Sequence, residues 1–233
     1  MDYPGFVETI FEPCPLGSKN SAENLNPDGS TKKVLVNEPP PPPPEDNICN
    51  LKPGGVMITG YNADNPDAVV LVATVDIPED ITIYITDNNA WTGIEFQNRE
   101  GITSLTVPPG GIAKGEIIAF SREEDFDGNK YSGLWNNDNN RFALSTRGDN
   151  IMVYCFTDEE TKSPSSISHF TALSFSGNGW VDEENSSNSA LPSTLSEETA
   201  VTLLRRLRNG YYNGARNGSH DEILKSITDV DNN

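Results

Sequence analysis

The chain has 233 residues, of which 35% are hydrophobic and 8% aromatic, and its formal net charge is −19. This charge argues against binding to nucleic acids or anionic membranes, because both need clustered Lys and Arg. No apolar run approaches the roughly 20 residues of a membrane span, and residues 1–11 lack the basic and apolar regions of a signal peptide. A targeting segment can have been removed, so the missing signal does not assign the chain to the cytosol.

Residues 1–50 differ from the rest of the chain, because they hold ten of its 17 prolines. Six of these are consecutive, at positions 39–44, and favour a polyproline II rod of roughly 19 Å. Two β-prone segments, GFVETIF (5–11) and KKVLVN (32–37), precede the rod and need a sheet edge or a groove to bury their side chains. The predicted partner-binding residues in these segments are Phe6, Val7, Ile10, Phe11, Val34, Leu35 and Val36.

From Gly55 onward the chain alternates between apolar, β-branched runs and turn clusters such as NADNPD and PED. Such runs predict strands, and their spacing of mostly 10 to 20 residues, without long helical patterns, is typical of an antiparallel sandwich. The predicted strands are GVMITGYN (55–62), AVVLVATVDI (68–77), ITIYITDN (81–88), TSLTV (103–107), GEIIAFS (115–121), RFALS (141–145), NIMVYCF (150–156) and SHFTALSF (168–175).

The C-terminal region predicts one short helix. AVTLLRRL (200–207) fits either an edge strand or a short helix, whereas SHDEILKSI (219–227) has a clear helix start. Ser219 is an N-cap candidate with acidic residues in the first turn, and Ile223, Leu224 and Ile227 share one face. We therefore predict an all-β fold: an antiparallel β-sandwich (51–233) with one short C-terminal helix and an extended proline-rich N-terminal arm (1–50).

The three cysteines, Cys14, Cys49 and Cys155, form no CxxC pair, which argues against structural zinc. Cys14 and Cys49 flank the arm and are a candidate disulfide. Cys155 lies in a strand-like run, where a buried free thiol is the expected state.

Acidic and amide side chains cluster in several loops. In EEDFDGNK (123–130), the alternating Asp125, Asp127 and Asn129 are candidate calcium ligands, although turn formation alone also explains D-G-N. No other cofactor is indicated. The loops that carry Asp64, Asp67, Asp87 and Asn88 fit Asx-turns better than a metal site.

The three tryptophans, Trp91, Trp135 and Trp180, each lie beside Gly, Asn or Asp. Tryptophans in loops serve as contact points for sugars or proteins, or they plug an open end of a sandwich. The second interpretation is favoured here. Two N-glycosylation triplets begin at Asn185 and Asn217 and matter only in a secretory pathway.

We predict that the chain is not an enzyme. His169 and His220 are its two histidines, and the sequence contains no G-x-S-x-G, H-E-x-x-H or phosphate-loop motif. In a chain with 35 acidic residues, neighbouring carboxylates are common and are therefore weak evidence for a catalytic pair.

Several blocks occur in an order that resembles a β-sandwich module, lamin-tail-like in character, of bacterial and algal secreted and surface proteins. These blocks are GGVMITGYNADNPDAVVLVATVDIPEDITIYITDNNAW, REG, LTVPPGGIAKGEIIAF, ALSTRGDNIMVY, NSSNSALPSTLSEETAVTL and NGYYNGARNGSHDEILKSI, within residues 54–228. The resemblance implies an accessory or surface role without established catalysis, and it gives no account of residues 1–50.

Two functions follow as hypotheses. In the first, the chain is a structural protein that self-associates or docks onto a larger complex through its arm, since sheet edges accept added strands. In the second, it is an extracellular adhesion module, calcium-dependent or not, that binds a glycan or a protein. An extracellular or cell-surface location is favoured, with an organelle lumen or stroma as the alternative.

Overall fold

The computed structural model describes residues 49–87, 91, 95–96, 100–123, 126, 128–137, 141–181 and 188–229. Residues 1–48, which hold nearly all of the predicted arm, lie outside this range, so the arm and its boundary at residue 50 stay predictions. The described regular elements are β1 (Val56–Asn62), β2 (Ala68–Ala73), β3 (Thr82–Thr86), β4 (Ile102–Thr106), β5 (Ile117–Ser121), β6 (Asn150–Phe156), β7 (Ile167–Ser174), β8 (Ala200–Thr202), β9 (Asn209–Tyr211) and α1 (His220–Thr228), with 3₁₀ turns at Ser132–Leu134 and Pro164–Ser166.

The strands form two sheets. The first has four strands in the order β5-β2-β1-β9, and the second has five in the order β4-β3-β6-β7-β8. All neighbouring strands are antiparallel except β7 and β8, which are parallel. The predicted all-β sandwich is therefore confirmed, with one parallel pair at an edge of the larger sheet.

The hydrophobic core lies between the sheets, because β-branched and aromatic side chains from both point toward each other. Val69 and Leu71 of β2, and Ile83 and Ile85 of β3, are fully buried in one cluster. Strand β6 is buried along its whole length, as expected for the central strand of the five-stranded sheet, which is covered on both faces.

Helix α1 confirms the predicted C-terminal helix. The Ser219 hydroxyl accepts from the Glu222 amide, and the Glu222 carboxylate accepts from the Ser219 amide at 2.8 Å, which completes a capping box. Leu224 and Ile227 are buried and Ile223 is half-buried, so the predicted apolar face packs on the sandwich. Of the two alternatives for AVTLLRRL (200–207), the edge strand is the one observed, and it covers Ala200–Thr202, which form β8.

The prediction of a strand at RFALS is wrong. Phe142 and Leu144 are buried as expected, but residues 141–145 form no strand. Three successive backbone amides there donate to aspartate carboxylates instead of a neighbouring strand. The pairs are Ala143 to Asp87 (2.5 Å), Leu144 to Asp67 (3.2 Å) and Ser145 to Asp149 (2.9 Å).

All three of these aspartates are buried. Asp87 also accepts from the Gly101 amide at 2.9 Å, and so links two segments. Burial raises the pKa of Asp87 from its ordinary 3.8 to about 7, although the Ala143 amide opposes the shift. The loops that were predicted to hold Asx-turns therefore contribute carboxylates to the interior of the molecule.

The predicted Cys14–Cys49 pairing is also wrong, because Cys49 forms a disulfide with Cys155, with Cα atoms 6.3 Å apart. Both sulfurs lie in the core cluster, and Cys155 is therefore not the expected free thiol. Cys49 is therefore buried in the sandwich and bonded to β6.

We expect Asp87→Ala to lower the free energy of unfolding by about 2–5 kcal/mol, because it leaves the buried amide of Gly101 and the part-buried amide of Ala143 without their acceptor. Urea denaturation followed by circular dichroism measures the change. The matched control is Asp76→Ala, whose exposed carboxylate accepts from a single amide, that of Lys114, at 2.8 Å. Equal losses for the two variants would contradict the role given to Asp87.

We also expect the double variant Cys49→Ala, Cys155→Ala to lose about 2–5 kcal/mol of unfolding free energy, because the bond closes a long loop between cysteines that lie 106 positions apart in the sequence. Cys14→Ala serves as the control and leaves the stability unchanged. Peptide mapping without reduction checks the pairing directly, and a Cys14–Cys49 peptide would contradict it.

Candidate functional site

The residues predicted from sequence as functional are only partly described. The seven partner-binding residues of the arm, Cys14, Asp125, Asp127 and Asn185 lie outside the described residues. Their assignments stay predictions. Asn217 is exposed, as a glycosylation acceptor must be.

The third predicted calcium ligand, Asn129, uses its side chain within its own loop. Its amide nitrogen donates to the Ile117 carbonyl at 2.9 Å, and its amide oxygen accepts from the Tyr131 backbone amide at 3.0 Å. Within the part of the chain that the structure describes, no group of three or more His, Cys, Asp or Glu side chains is placed to hold a metal ion. The turn interpretation thus accounts for Asn129.

A surface patch at one edge of the four-stranded sheet is the first candidate site. Strand β9 is an outer strand that pairs only with β1 among the described strands, through Asn209 to Tyr211. The loop before it and the strand itself carry large exposed apolar side chains: Leu204 is 72% exposed, Leu207 42% and Tyr211 74%. We call this set, together with the exposed Arg205, Arg206 and Arg208, the edge patch.

The local sequence explains how this loop is fixed. The Arg208 carbonyl accepts from the Ala63 amide, and the Tyr212 amide donates to the Thr59 carbonyl, each at 2.7 Å. The Arg206 Nε donates to the Ser176 carbonyl at 3.0 Å. The backbone of the edge patch is therefore anchored at both ends while its apolar side chains face solvent.

The charge of the edge patch is opposite to that of the whole protein. Residues 199–220 contain four arginines and no Asp or Glu, whereas the chain carries 35 acidic and 16 basic residues. Arg208 forms an exposed ion pair with Asp64 at 3.5 Å, and no ion pair is found for Arg205 among the described residues. The edge patch thus combines exposed apolar area with positive charge.

A small apolar depression of about 50 Å³ adjoins the edge patch. It lies where β1 and β9 meet β7, β8 and α1, and it has room for the end of one apolar side chain. Its lining is Ile58, Thr59, Gly60, Tyr61, Leu173, Val201, Leu203, Leu207, Gly210, Tyr211, Tyr212 and Ile227.

The second candidate site is a cavity of about 240 Å³ beside β7. Its described lining is Trp91, Pro164, Ser165, Ile167, His169, Pro192, Ser193 and Thr194. His169 is 2% exposed and Trp91 6% exposed, so these two side chains form the buried part of the wall. The exposed Pro164, Ser165, Ser193 and Thr194 form the rim.

His169 belongs to a row of aromatic side chains on the outer face of the five-stranded sheet. Its ring lies edge-on to Trp91, with centroids 4.7 Å apart, and 6.1 Å from the ring of Tyr154. Burial lowers the pKa of His169 from its ordinary 6.5 to about 4, so the imidazole is neutral near pH 7. No Asp or Glu occurs among the described residues that line the cavity, and the structure gives this histidine no carboxylate partner there.

The tryptophans differ in their surroundings. Trp91 is buried against the outer face of the five-stranded sheet, in a cluster with Met152 and Ala172. Trp135 and Trp180 are half-buried, and their indole N–H groups donate to the Ala119 carbonyl at 2.7 Å and the Thr202 hydroxyl at 2.9 Å. Among the described residues, the indole N–H of Trp91 finds no hydrogen-bond partner.

Comparisons of the chain with protein-family models, with curated proteins and with solved structures find no match. The resemblance to a lamin-tail-like module therefore stays a prediction. Among the residues described, no helix is both long and apolar enough to cross a membrane.

Sequence reasoning missed both candidate sites. Strand β9 was not predicted because Asn-Gly-Tyr carries no β-branched residue, although the apolar and basic run LLRRLR was a usable signal. The cavity draws its lining from three separate segments, around residues 91, 164–169 and 192–194, and no local pattern records such a convergence.

We expect the buried neutral His169 to make the protein less stable in acid. Its folded pKa lies below its unfolded value, so its contribution to stability is present above pH 6.5 and is lost as the pH falls through about 4. Relative to His169→Phe, the wild type should lose about 3 kcal/mol of unfolding free energy between neutral pH and about pH 4.

Urea denaturation of both proteins at the two pH values measures this difference. Asp87 titrates in the same range, but it is present in both proteins and cancels from the comparison. Parallel pH profiles for the wild type and the variant would show that His169 is not held neutral by burial.

Proposed function

We propose that this chain is a non-catalytic assembly protein whose edge patch binds the arm of a second copy. The observation that carries the proposal is the exposure of Leu204 and Tyr211 beside an outer strand whose second edge has no described partner. Such an edge pairs readily with an added strand, which gains main-chain hydrogen bonds and apolar contacts.

The segment that fits this edge is GFVETIF, residues 5–11. It is β-prone, and residues 1–12 carry three acidic side chains, Asp2, Glu8 and Glu12, and no Lys or Arg. These charges complement the arginines of the edge patch. The other apolar segment, KKVLVN, is less suitable because Lys32 and Lys33 would lie against like charges.

Binding between copies is favoured over binding within one chain by the stem of the arm. The rod of six prolines ends five residues before Cys49, which is bonded to β6. Because polyproline II is stiff, turning back over the same sandwich costs more than reaching a neighbour. The 37 residues between Phe11 and Cys49 span at most roughly 130 Å when extended, which is ample for a neighbour.

The cysteine count gives independent support. Cys49 and Cys155 are joined, so no second cysteine is left for Cys14 within these 233 residues. An odd cysteine in a disulfide-containing protein favours a bond between chains. The disulfide also supports the favoured extracellular location, because such bonds persist in oxidising compartments.

Sedimentation velocity over a concentration series tests the proposal. We expect the full chain to associate in the micromolar range, and deletion of residues 1–45 to give monomers. The double variant Leu204→Ser, Tyr211→Ser should also give monomers, since it removes the exposed apolar area without touching the core. Cys14→Ser without reducing agent removes the linkage between chains but keeps the Cys49–Cys155 bond, so it separates strand pairing from disulfide linkage, and its association should persist.

The matched control is Ile117→Ser. Ile117 is 45% exposed on β5, the opposite outer strand of the same sheet, and its replacement should leave association unchanged. A peptide of residues 1–13 should bind the chain that lacks residues 1–45. The same peptide should not bind the double variant Leu204→Ser, Tyr211→Ser. A full chain that stays monomeric at about 100 µM, well above a micromolar dissociation constant, or association that survives the deletion, contradicts the proposal.

A further inference from the structure

The outer edge of β9 presents a short and defined set of backbone groups. Gly210 lies opposite β1 in the ladder, and the Arg208 carbonyl and the Tyr212 amide continue the ladder on either side of it. Because hydrogen-bonded and non-hydrogen-bonded positions alternate along an antiparallel pair, the backbone groups of Asn209 and Tyr211 point away from β1. No described strand pairs with this side of β9, so an added strand meets two residues whose amides and carbonyls face it.

The face of β9 that carries Gly210 is turned toward the apolar depression. Tyr61 lies opposite Gly210, and residues opposite each other share a face of the sheet. Tyr61 is buried in the core, and both residues line the depression of about 50 Å³. Its lining also includes Leu173, Val201 and Ile227, from β7, β8 and α1. A strand beside β9 therefore directs the side chain opposite Gly210 toward this depression.

A positive charge lies one step along the same face. Arg208 precedes Gly210 by two residues, and strand residues two positions apart lie on one face. Its ion pair with Asp64, at 3.5 Å, leaves 67% of the arginine side chain exposed, and such exposed pairs contribute little to stability. In an added strand, the residue two positions from the one opposite Gly210 lies beside Arg208, and an acidic side chain is complementary there.

The arm segment GFVETIF has this pattern around Glu8, because Phe6 lies two positions before it and Ile10 two positions after it. In an antiparallel arrangement with β9, Phe6 faces the depression, and in a parallel arrangement Ile10 does. Glu8 lies beside Arg208 in both cases. The ionic contact is therefore the same for either direction of the added strand.

Glu12 is the other acidic residue of the segment that follows an apolar one by two positions, since it follows Ile10. With Ile10 at the depression and Glu12 beside Arg208, the rest of the segment would extend past β9 toward residues 213–214. The arrangement with Glu8 instead keeps the apolar residues alongside the edge patch, where Leu204 is exposed. It buries more apolar area and is therefore favoured.

We propose that the edge patch recognises an apolar and an acidic residue two positions apart in the arm of a second copy. Glu8 pairs with Arg208, and Phe6 or Ile10, according to strand direction, enters the depression beside Gly210. This specificity rests on the assembly proposed above. The charge pair lets the patch discriminate among β-prone segments, which backbone pairing alone does not do.

Charge reversal in the full chain tests the pair. In a Cys14→Ser background, sedimentation velocity gives the dissociation constant of strand-mediated self-association. We expect Glu8→Arg and Arg208→Glu each to weaken association about fivefold, and their combination to restore it to within about twofold of the parent. As matched controls, Arg208→Glu should not restore association to Glu12→Arg. Likewise, Arg205→Glu should not restore it to Glu8→Arg.

Alanine substitutions in the arm test the depression without altering the sandwich. One of Phe6→Ala and Ile10→Ala should weaken association about tenfold, and the other less than about threefold. The sensitive residue identifies the direction of the added strand. Val7→Ala, on the opposite face of the segment, is the matched control and should also change the dissociation constant less than about threefold.

The outcomes separate this specificity from the assembly itself. Association that the deletion of residues 1–45 abolishes, but that the combined Glu8 and Arg208 reversals do not restore, overturns the specificity and leaves the assembly intact. The same conclusion follows if Arg208→Glu restores Glu12→Arg rather than Glu8→Arg, or if Val7→Ala is the most damaging of the three alanine variants. A full chain that stays monomeric overturns both proposals.

Discussion

Three buried aspartates hold the loop around residues 141–145 against the sandwich, and much of the interior depends on them. Asp67, Asp87 and Asp149 accept hydrogen bonds from three successive amides, where a neighbouring strand would normally do so. The side chains of Phe142 and Leu144 can be buried because the backbone amides of residues 143–145 donate hydrogen bonds to these carboxylates. Part of the acidity of the chain is therefore structural, even though the remainder keeps the surface strongly negative.

The same interaction shows where sequence reasoning succeeds and where it stops. The β-branched runs of β1, β2, β3 and β6 and the cap of α1 at Ser219 are local signals, and they predicted the elements correctly. RFALS carries an equally apolar pattern, but a pattern of burial does not reveal whether an amide meets a strand or a carboxylate. The partner of Cys49 was missed for the same reason, since pairing depends on which strand the folded chain brings close.

The two candidate sites are built from different parts of the fold. The edge patch exploits an outer strand, whose unpaired backbone groups are an inherent feature of open sheets, and its arginines give it a charge opposite to its surroundings. The cavity instead uses side chains that converge from loops over β7, where His169 and Trp91 lie out of solvent. The depression beside the edge patch and the cavity beside β7 share no lining residue.

The Cys49–Cys155 bond also determines how the protein would carry a mechanical load. Tension applied along the arm enters the sandwich at Cys49 and passes through the disulfide directly to Cys155 on β6. Strands β1 to β5 lie within the covalent loop between these residues, so a pull toward the C-terminus bypasses them. They can be neither peeled off nor extended while the bond is intact, and an arm under tension pulls on the most deeply buried strand rather than on an edge.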